Sequence, residues 1–452
     1  MTPPRIAIIG GGCSGVLLAL QLLRRSIEPP AEILIIEKSP SLGRGLAYKV
    51  PSDRCKLNVP ANSMGAFPEN PEGFLTWLRA TNHQVEPTDF VSRALFGDYL
   101  QHTFAQHRAQ ASGVHVTHIQ DEASDISYDQ KNATFEITLS QQSSQVADVC
   151  ILALGNIARS TLNGMPIDTI FSSPYDPKSY SNIRELQELL IVGTGLTAVD
   201  CVLEAEGRGF TGRYTMVSRH GYLPLPHETG TPTLGTLTTP AIADHSALLS
   251  LSLRAITHLI AKESRERGSS QPSITALRPH LQTIWSLLSA WEKRQFLRHV
   301  RPLWEIHRHR IPRPHFDRLQ DLIRSKRLYI HAGRLSAAER SDHGITVQIA
   351  PSLWASPRYF GAAMLCSGPE SDLTKIEMPL VRNLLRRGFL APGELGLGAH
   401  PTKTTLPESG RKRFKLIGPL QRESLWEITA VRELRLEAEK LAQEIRESLC
   451  VL

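Results

Sequence analysis

Short uninterrupted apolar runs, rather than alternating ones, punctuate the chain at residues 6–9, 33–36, 149–154, 189–192 and 362–366. Runs of this length bounded by turn residues are the pattern of strands buried on both faces of a parallel sheet. Behind the first run, Val16, Leu17, Ala19, Leu20, Leu22 and Leu23 recur at helical spacing, so the chain begins as strand, helix, strand. The same order returns behind residues 189–192 and ends in a strand over 214–217. From about residue 245 to residue 328 the pattern turns helical, with Leu249, Leu253, Ile256 and Ile260 on one face, then Ile284, Leu288 and Trp291. Pro302 and Pro312 bracket a short helical piece there, and Trp285, Trp291 and Trp304 read as packing residues. Another strand is expected at 134–139, one at 414–419, and a closing helix from about 425 to 449.

A glycine loop joins strand to helix in each repeat: Gly10-Gly11-Gly12-Cys13-Ser14-Gly15 in the first, Gly193-Thr194-Gly195-Leu196-Thr197-Ala198 in the second. At this spacing the first glycine permits a tight turn and the second lets a pyrophosphate approach the backbone. The third, or Ala198 in its place, lets the helix pack close to the strand. The phosphates then meet unpaired N–H groups at the helix N-terminus. What ends the following strand differs. The first repeat offers Glu37-Lys38, an acid placed for ribose hydroxyls; the second offers Ser218-Arg219-His220. Without an acid to repel a 2′-phosphate, and with Arg219 to pair with one, the second loop favours NADPH over NADH. The alternative is an Arg219 that is merely solvated.

With 452 residues, 41% hydrophobic and 21% charged, the chain fits two or three ordinary globular domains. Its N-terminal apolar stretch carries glycines at fingerprint spacing and only Arg5 before it, unlike a signal peptide. Nothing else reaches the roughly 18 apolar residues of a membrane span, so no membrane association and a cytoplasmic location are expected. Cys13, Cys55, Cys150, Cys201, Cys366 and Cys450 show neither CxxC nor metal-ligand spacing, which sets aside dithiol relays and zinc sites. Cys13, Cys150, Cys201 and Cys366 read as small core residues. His307 and His309 alternate and so point to different helix faces, a poor metal pair; no metal is expected.

Between residues 298 and 327, nine Lys/Arg face three acids, an excess of 9 − 3 = +6, against 51 − 44 = +7 for the whole chain. Competing readings are a cleft for an anionic substrate or the NADP phosphates, an acidic or nucleic-acid partner surface, and a solvated helical face. No nucleic-acid motif accompanies the patch, so nucleic acid ranks last. Residues 221–227 and the Thr-rich stretch 229–239 read either as a mobile connection over the NADP site or as an ordinary loop.

Two turns, Ala153-Leu154-Gly155 and Cys366-Ser367-Gly368, resemble the "ATG" turns at which two-dinucleotide flavoproteins cross between FAD and NAD(P) domains. Residues 414–419, ending in Gly418-Pro419, are similar to the final strand that returns to the flavin. The whole chain resembles a largely uncharacterised bacterial FAD/NAD(P)-binding protein family. Residues 57–68, the second glycine loop, Trp304-Glu305-Ile306-His307-Arg308-His309-Arg310, Gly418-Pro419-Leu420 and 425–431 carry that resemblance. It implies an α/β chain of two Rossmann-like dinucleotide-binding domains with a helical insert. Residues 1–160 and 369–452 would form a discontinuous FAD domain, and 161–368 an NADP domain with its insert at about 241–328. The FAD site would use Gly10, Gly12, Cys13, Ser14, Gly15, Glu37, Lys38, Asn58, Gly155, Gly418 and Pro419. NADPH would use Gly193, Gly195, Leu196, Thr197, Arg219 and Gly368.

A second resemblance bears on chemistry. Asn58-Val59-Pro60-Ala61-Asn62-Ser63-Met64-Gly65-Ala66-Phe67 is similar to a segment of flavin-containing and N-hydroxylating monooxygenases, and residues 193–200 follow their second glycine pattern. The likeness implies that Asn58 hydrogen-bonds flavin or NADP at the reacting centre; the alternative is an Asn58 that caps the turn before Pro60. The F-x-G-x-x-x-H signature of those monooxygenases is replaced by Phe171-Ser172-Ser173-Pro174-Tyr175-Asp176. The expectation is an FAD-dependent, NADPH-oxidising monooxygenase acting on a small amine or soft nucleophile. The alternatives are an NAD(P)H-dependent reductase with an organic acceptor, and a non-catalytic redox sensor.

Overall fold

The computed structural model describes residues 3–25, 30–49, 52–228, 252–350, 354 and 356–449; the Thr-rich stretch 229–239, Leu249 and Cys450 lie outside them. The chain forms two compact units, one of residues 1–53, 59–158 and 370–452, the other of 54–58 and 159–369.

In the first unit Arg5–Ile9 pairs in parallel with Ala31–Ile36 on one side and Val149–Leu152 on the other. Val114–Ile119 and Phe414–Leu416 complete a five-stranded parallel sheet. Numbered along the unit, the strand order is 3-2-1-4-5, the doubly wound arrangement. Ile6, Ala7 and Ile8 have no exposed surface, which is why an alternating pattern would fail there. Helix Cys13–Leu23 buries nearly its whole circumference between this sheet and helix Val431–Leu449.

The second unit repeats the plan. Leu328–Ala332, Arg213–Ser218, Glu188–Val192 and Ala362–Leu365 form a parallel sheet whose order along the unit is 3-2-1-4. Each unit also places a three-stranded antiparallel sheet between its third and fourth strands. In the first unit this is Ala123–Asp129, Thr134–Leu139 and Gln145–Ala147; in the second it is Arg334–Ser341, Gly344–Ala350 and Arg358–Phe360. Gly344–Ala350 alternates partly exposed and buried residues, the period-two signal of a half-covered strand.

Helices Leu253–Arg267, Gln271–Leu277, Leu281–Leu287, Ala290–Gln295, Arg301–Arg308 and Arg313–Arg324 separate the second and third strands of the second unit. Two expectations need correction. Leu288 leaves the helix with φ −66° and ψ 134°, and Ser289 caps a new one, so Trp291 is 66% exposed rather than packed. Trp285 and Trp304 do pack, on either side of Phe296. The last helix begins at Val431, because residues 425–430, with β-branched Ile428 and Thr429, form successive tight turns instead.

The units superimpose hydrogen bond for hydrogen bond where strand one ends. Gly10 N–H donates to the Ile36 carbonyl at 2.9 Å and Gly193 N–H to the Val217 carbonyl at 2.8 Å. Ala153 N–H donates to Ile9 and Cys366 N–H to Val192, both at 2.8 Å. Gly10 and Gly193 take φ +107° and +124°, and a Cβ on either would press into the carbonyl oxygen of Ala153 or Cys366. Glycine is therefore demanded twice over, by backbone angle and by space. Gly164, at φ +82° with nothing within 4 Å of its missing Cβ, supplies a control. Gly164→Ala should cost about 1–2 kcal/mol, whereas Gly193→Ala should cost well beyond that. Denaturant midpoints of the two variants check this; equal midpoints would mean that the contact with Cys366 yields without cost.

Candidate dinucleotide sites

Both glycine loops lead into helices with the same entry geometry. Gly12 caps Cys13–Leu23 at φ −72°, ψ −164°, and Gly195 caps Leu196–Gly207 at φ −81°, ψ −165°. Neither helix start receives a side-chain cap, so its first N–H groups stay available to an anion. A Cβ on Gly15 would strike the Gly10 carbonyl, while Ala198, fully buried, fits the corresponding place in the second unit. Added Cβ atoms on Gly155, Gly195 and Gly368 would meet nothing within 4 Å, so the strand ends keep open room for a ligand. Among the described residues, Ser367 Oγ, beside Gly368, is buried without a hydrogen-bond partner.

The first loop is roofed by a second turn. Gly43 N–H donates to the Gly11 carbonyl at 2.7 Å, and a Cβ on Gly12 would lie 3.3 Å from the Gly45 Cα. Glu37 accepts from Gly11 N–H and from Ser39 N–H, each at 2.9 Å, and so ties the strand end to the loop while keeping lone pairs for a ribose. Lys38 pairs with Glu122 at 3.1 Å, a solvent-exposed ion pair. Gly418, at φ +93°, closes on Ser14: its missing Cβ would lie 2.8 Å from Ser14 Oγ, and Pro419 starts the 3-10 turn Pro419–Gln421. Cys13 stands at the helix start, where the dipole favours thiolate, yet burial pushes its thiol up to about 12.

Register identifies a residue that motif reading passed over. Since Ile36 and Val217 play the same role, Ser218 stands where Glu37 does. It binds the second loop in the same sense, with its hydroxyl 2.9 Å from Thr194 Oγ1 and accepting from Gly221 N–H at 3.0 Å. Arg219 follows, and among the described residues no carboxylate pairs with it. Partial burial, then the charges of Arg301, Arg334 and Arg159, hold its guanidinium below the ordinary value. Gly333 N–H donates to the Ser218 carbonyl at 2.8 Å, bringing residue 334 to this strand end. Arg159 donates to the Gly368 and Pro369 carbonyls at 3.3 and 3.1 Å. Three of these arginines lie far from Arg219 in sequence, and no motif signalled them. Thr197 Oγ1 lies 3.2 Å from Tyr175 Oη, and Leu196 opens the helix.

Much of the basic insert is spent internally. Arg301 pairs with Glu305 at 3.2 Å, Arg313 with Asp317 at 2.9 Å and Arg327 with Glu206 at 2.8 Å. Arg318 also reaches Glu206, and Arg324 reaches Asp321. His307 Nδ1 contacts Ser270 Oγ while His309 Nε2 faces Glu305 at 3.2 Å, and no metal-binding cluster occurs among the described residues. Residues 221–228 are not a loose connection. Ile311 N–H donates to the Leu225 carbonyl at 3.0 Å, and Pro226 bridges to Ile311.

Asn58 is the last residue of a five-residue excursion, 54–58, that belongs to the second unit. Its carbonyl accepts from His227 Nε2 at 2.9 Å, and among the described residues its half-buried carboxamide has no partner. It does not cap the turn at Pro60. The fold also brings Cys201 against Cys366, a pair that sequence spacing hid, with Cys55 and Cys201 near the Tyr180 hydroxyl. Both thiols are buried, and burial raises that of Cys366.

Two repeated Rossmann units, each with its antiparallel sheet and with the chain crossing four times between them, define the fold of two-dinucleotide-binding flavoproteins. Residues 7–157 match the FAD-NAD(P)-binding family. Curated protein sequences give no match. Among solved structures, the ornithine N-hydroxylase of Kutzneria sp. 744 aligns with TM-score 0.63 at 14% identity, over 99% of this chain and 100% of that one. L-lysine 6-monooxygenase of Pseudomonas syringae gives 0.62 at 15% identity, over 99% of each chain. Lactococcus lactis thioredoxin reductase gives 0.53 at 12% identity, over 99% and 100%. No helix among the described residues is long and apolar enough to cross a membrane.

Thiol chemistry distinguishes buried from reactive cysteines. In the native protein the buried Cys150 and Cys366, and the partly exposed Cys13, should resist iodoacetamide at mildly alkaline pH and react on unfolding, because desolvation raises all three thiols. Mass spectrometry reads this directly, and rapid native labelling of Cys13 would mean that the helix dipole prevails over burial.

Proposed function

We propose that the chain is an FAD-dependent, NADPH-oxidising monooxygenase acting on a small amine or other soft nucleophile. The observation that carries the cofactor assignment is the asymmetry between equivalent strand ends, Glu37 in one unit and Ser218-Arg219 with its arginine neighbours in the other. An acid suits the ribose of a resident FAD; a cationic end suits the 2′-phosphate of NADPH. When bound, FAD supplies hydride acceptance from NADPH and the reaction of its reduced form with oxygen.

The residues named supply binding and orientation. Gly10, Gly12, Ser14, Gly15, Gly155, Gly418 and Pro419 line the FAD loop, and Glu37 holds the ribose. Gly193, Gly195, Leu196, Thr197 and Gly368 receive the second pyrophosphate, and Arg219 the 2′-phosphate. Asn58 offers its carboxamide, unpaired among the described residues, to the reacting centre, following the resemblance of residues 58–67 to flavin-containing monooxygenases. The similar structures named for ornithine and lysine hydroxylation support an amine substrate. The buried state of Cys201 and Cys366 argues against thiol–disulfide exchange as the exit for electrons, since exchange needs an accessible thiolate.

Turnover of the FAD-loaded protein with NADPH, oxygen and a panel of diamines and basic amino acids tests the reading. One amine should accelerate NADPH oxidation and yield a hydroxylated product. Amine-independent oxidation matched by hydrogen peroxide would favour the reductase, and no oxidation at all the sensor. Arg219→Ala should raise KM for NADPH about tenfold or more, the worth of a charged hydrogen bond, and leave KM for NADH nearly unchanged. An unchanged NADPH preference would remove Arg219 from the site. Asn58→Ala should shift the reaction from product toward hydrogen peroxide, and unchanged product per NADPH would remove Asn58.

A further inference from the structure

The segment Trp304-Glu305-Ile306-His307-Arg308-His309-Arg310 stands out in the sequence, yet neither cofactor assignment uses it. Its arginine at the C-terminal end is 5% exposed, and every part of its guanidinium is engaged. Arg310 Nη1 donates to the Pro226 carbonyl at 2.8 Å, Nη2 to Ser270 Oγ at 3.0 Å and Nε to the His307 carbonyl at 3.1 Å. Glu228 stands 3.4 Å from Nη1. The next residue continues the clamp, because Ile311 accepts from His227 N–H at 2.9 Å and donates to the Leu225 carbonyl at 3.0 Å. Leu225 N–H in turn donates to Ile306 at 3.2 Å. Residues 225–227 are thereby laid along the end of helix Arg301–Arg308 with both neighbours of the His227 side chain fixed.

His227 spends its ring on Asn58. Nε2 is 2.9 Å from the Asn58 carbonyl oxygen, which only accepts, so the ring proton resides on Nε2. Burial first, then the nearby Arg310 and Arg308, hold the imidazole below its ordinary pKa, which keeps the neutral donor form. We infer that His227 is a positioning residue for Asn58, carrying onto its backbone a position set by Arg310 and the basic helical insert. Fixing the carbonyl of Asn58 restricts the peptide from which its unpaired carboxamide projects. That gives the insert a part in the chemistry through the backbone of Asn58. The inference rests on the role proposed for Asn58.

The test compares His227→Phe, which keeps the ring volume and removes the donor, with His227→Gln, which restores an N–H donor. His227→Ala serves as a second donor-free variant should the phenylalanine fail to fold. Hydrogen–deuterium exchange of peptides covering residues 54–60, in FAD-loaded protein of native circular dichroism, reads the anchor itself. Product formed per NADPH consumed reads its consequence. The donor-free variant should exchange about fivefold faster in this segment, the worth of one ordinary hydrogen bond. It should also lose product per NADPH to a similar degree, with both restored in His227→Gln. Unchanged exchange in the donor-free variants, or equal loss in His227→Gln, overturns the inference. Faster exchange with undiminished product, together with an Asn58→Ala variant that is also undiminished, leaves the anchor standing and removes the role of Asn58.

Discussion

Each unit depends on one close approach, where the first strand ends against the backbone of the fourth. Gly10 lies on the Ala153 carbonyl and Gly193 on the Cys366 carbonyl, each at a positive φ that no other residue adopts without strain. Only with that approach does the chain turn sharply enough to start a helix whose free N–H groups face the crevice between strands one and four. A side chain at either position would part the strands and move the helix start away from the place proposed for a pyrophosphate. The remaining architecture, from the buried helix Cys13–Leu23 to the flanking antiparallel sheets, supports this turn from behind.

The parallel sheets and glycine loops were legible because a doubly buried strand needs an unbroken apolar run and the turn admits only glycine. Other features had no local signal. Trp291 lies in a helical pattern, but the break at Leu288 depends on Ser289 capping a new helix, and it turns the ring outward. The part of Ser218 in tying the second loop emerges only from its hydrogen bonds to Thr194 and Gly221. Arg159, Arg301 and Arg334 reach Arg219 through tertiary structure, and Cys201 meets Cys366 in the same way. Long-range neighbours of this kind leave no periodicity to read.

Duplication with divergence explains how one fold serves two nucleotides. The backbone of the two loops is nearly identical, so selectivity falls to the side chains at the end of the second strand. In one unit a carboxylate closes the loop onto itself; in the other a hydroxyl does so and leaves the field to arginine. In the proposed assignment, charge rather than shape separates the two sites. Many basic residues of the insert are neutralised by local acids, and one of them, Arg310, is spent on a buried clamp.

The most direct test of two unequal nucleotide sites is an anaerobic titration of the purified protein, followed by its visible absorbance. The predicted result is one FAD per chain, bleached by an equimolar amount of NADPH and far less readily by NADH. A chain that retains no flavin, or a bound flavin that NADPH leaves oxidised, would contradict it.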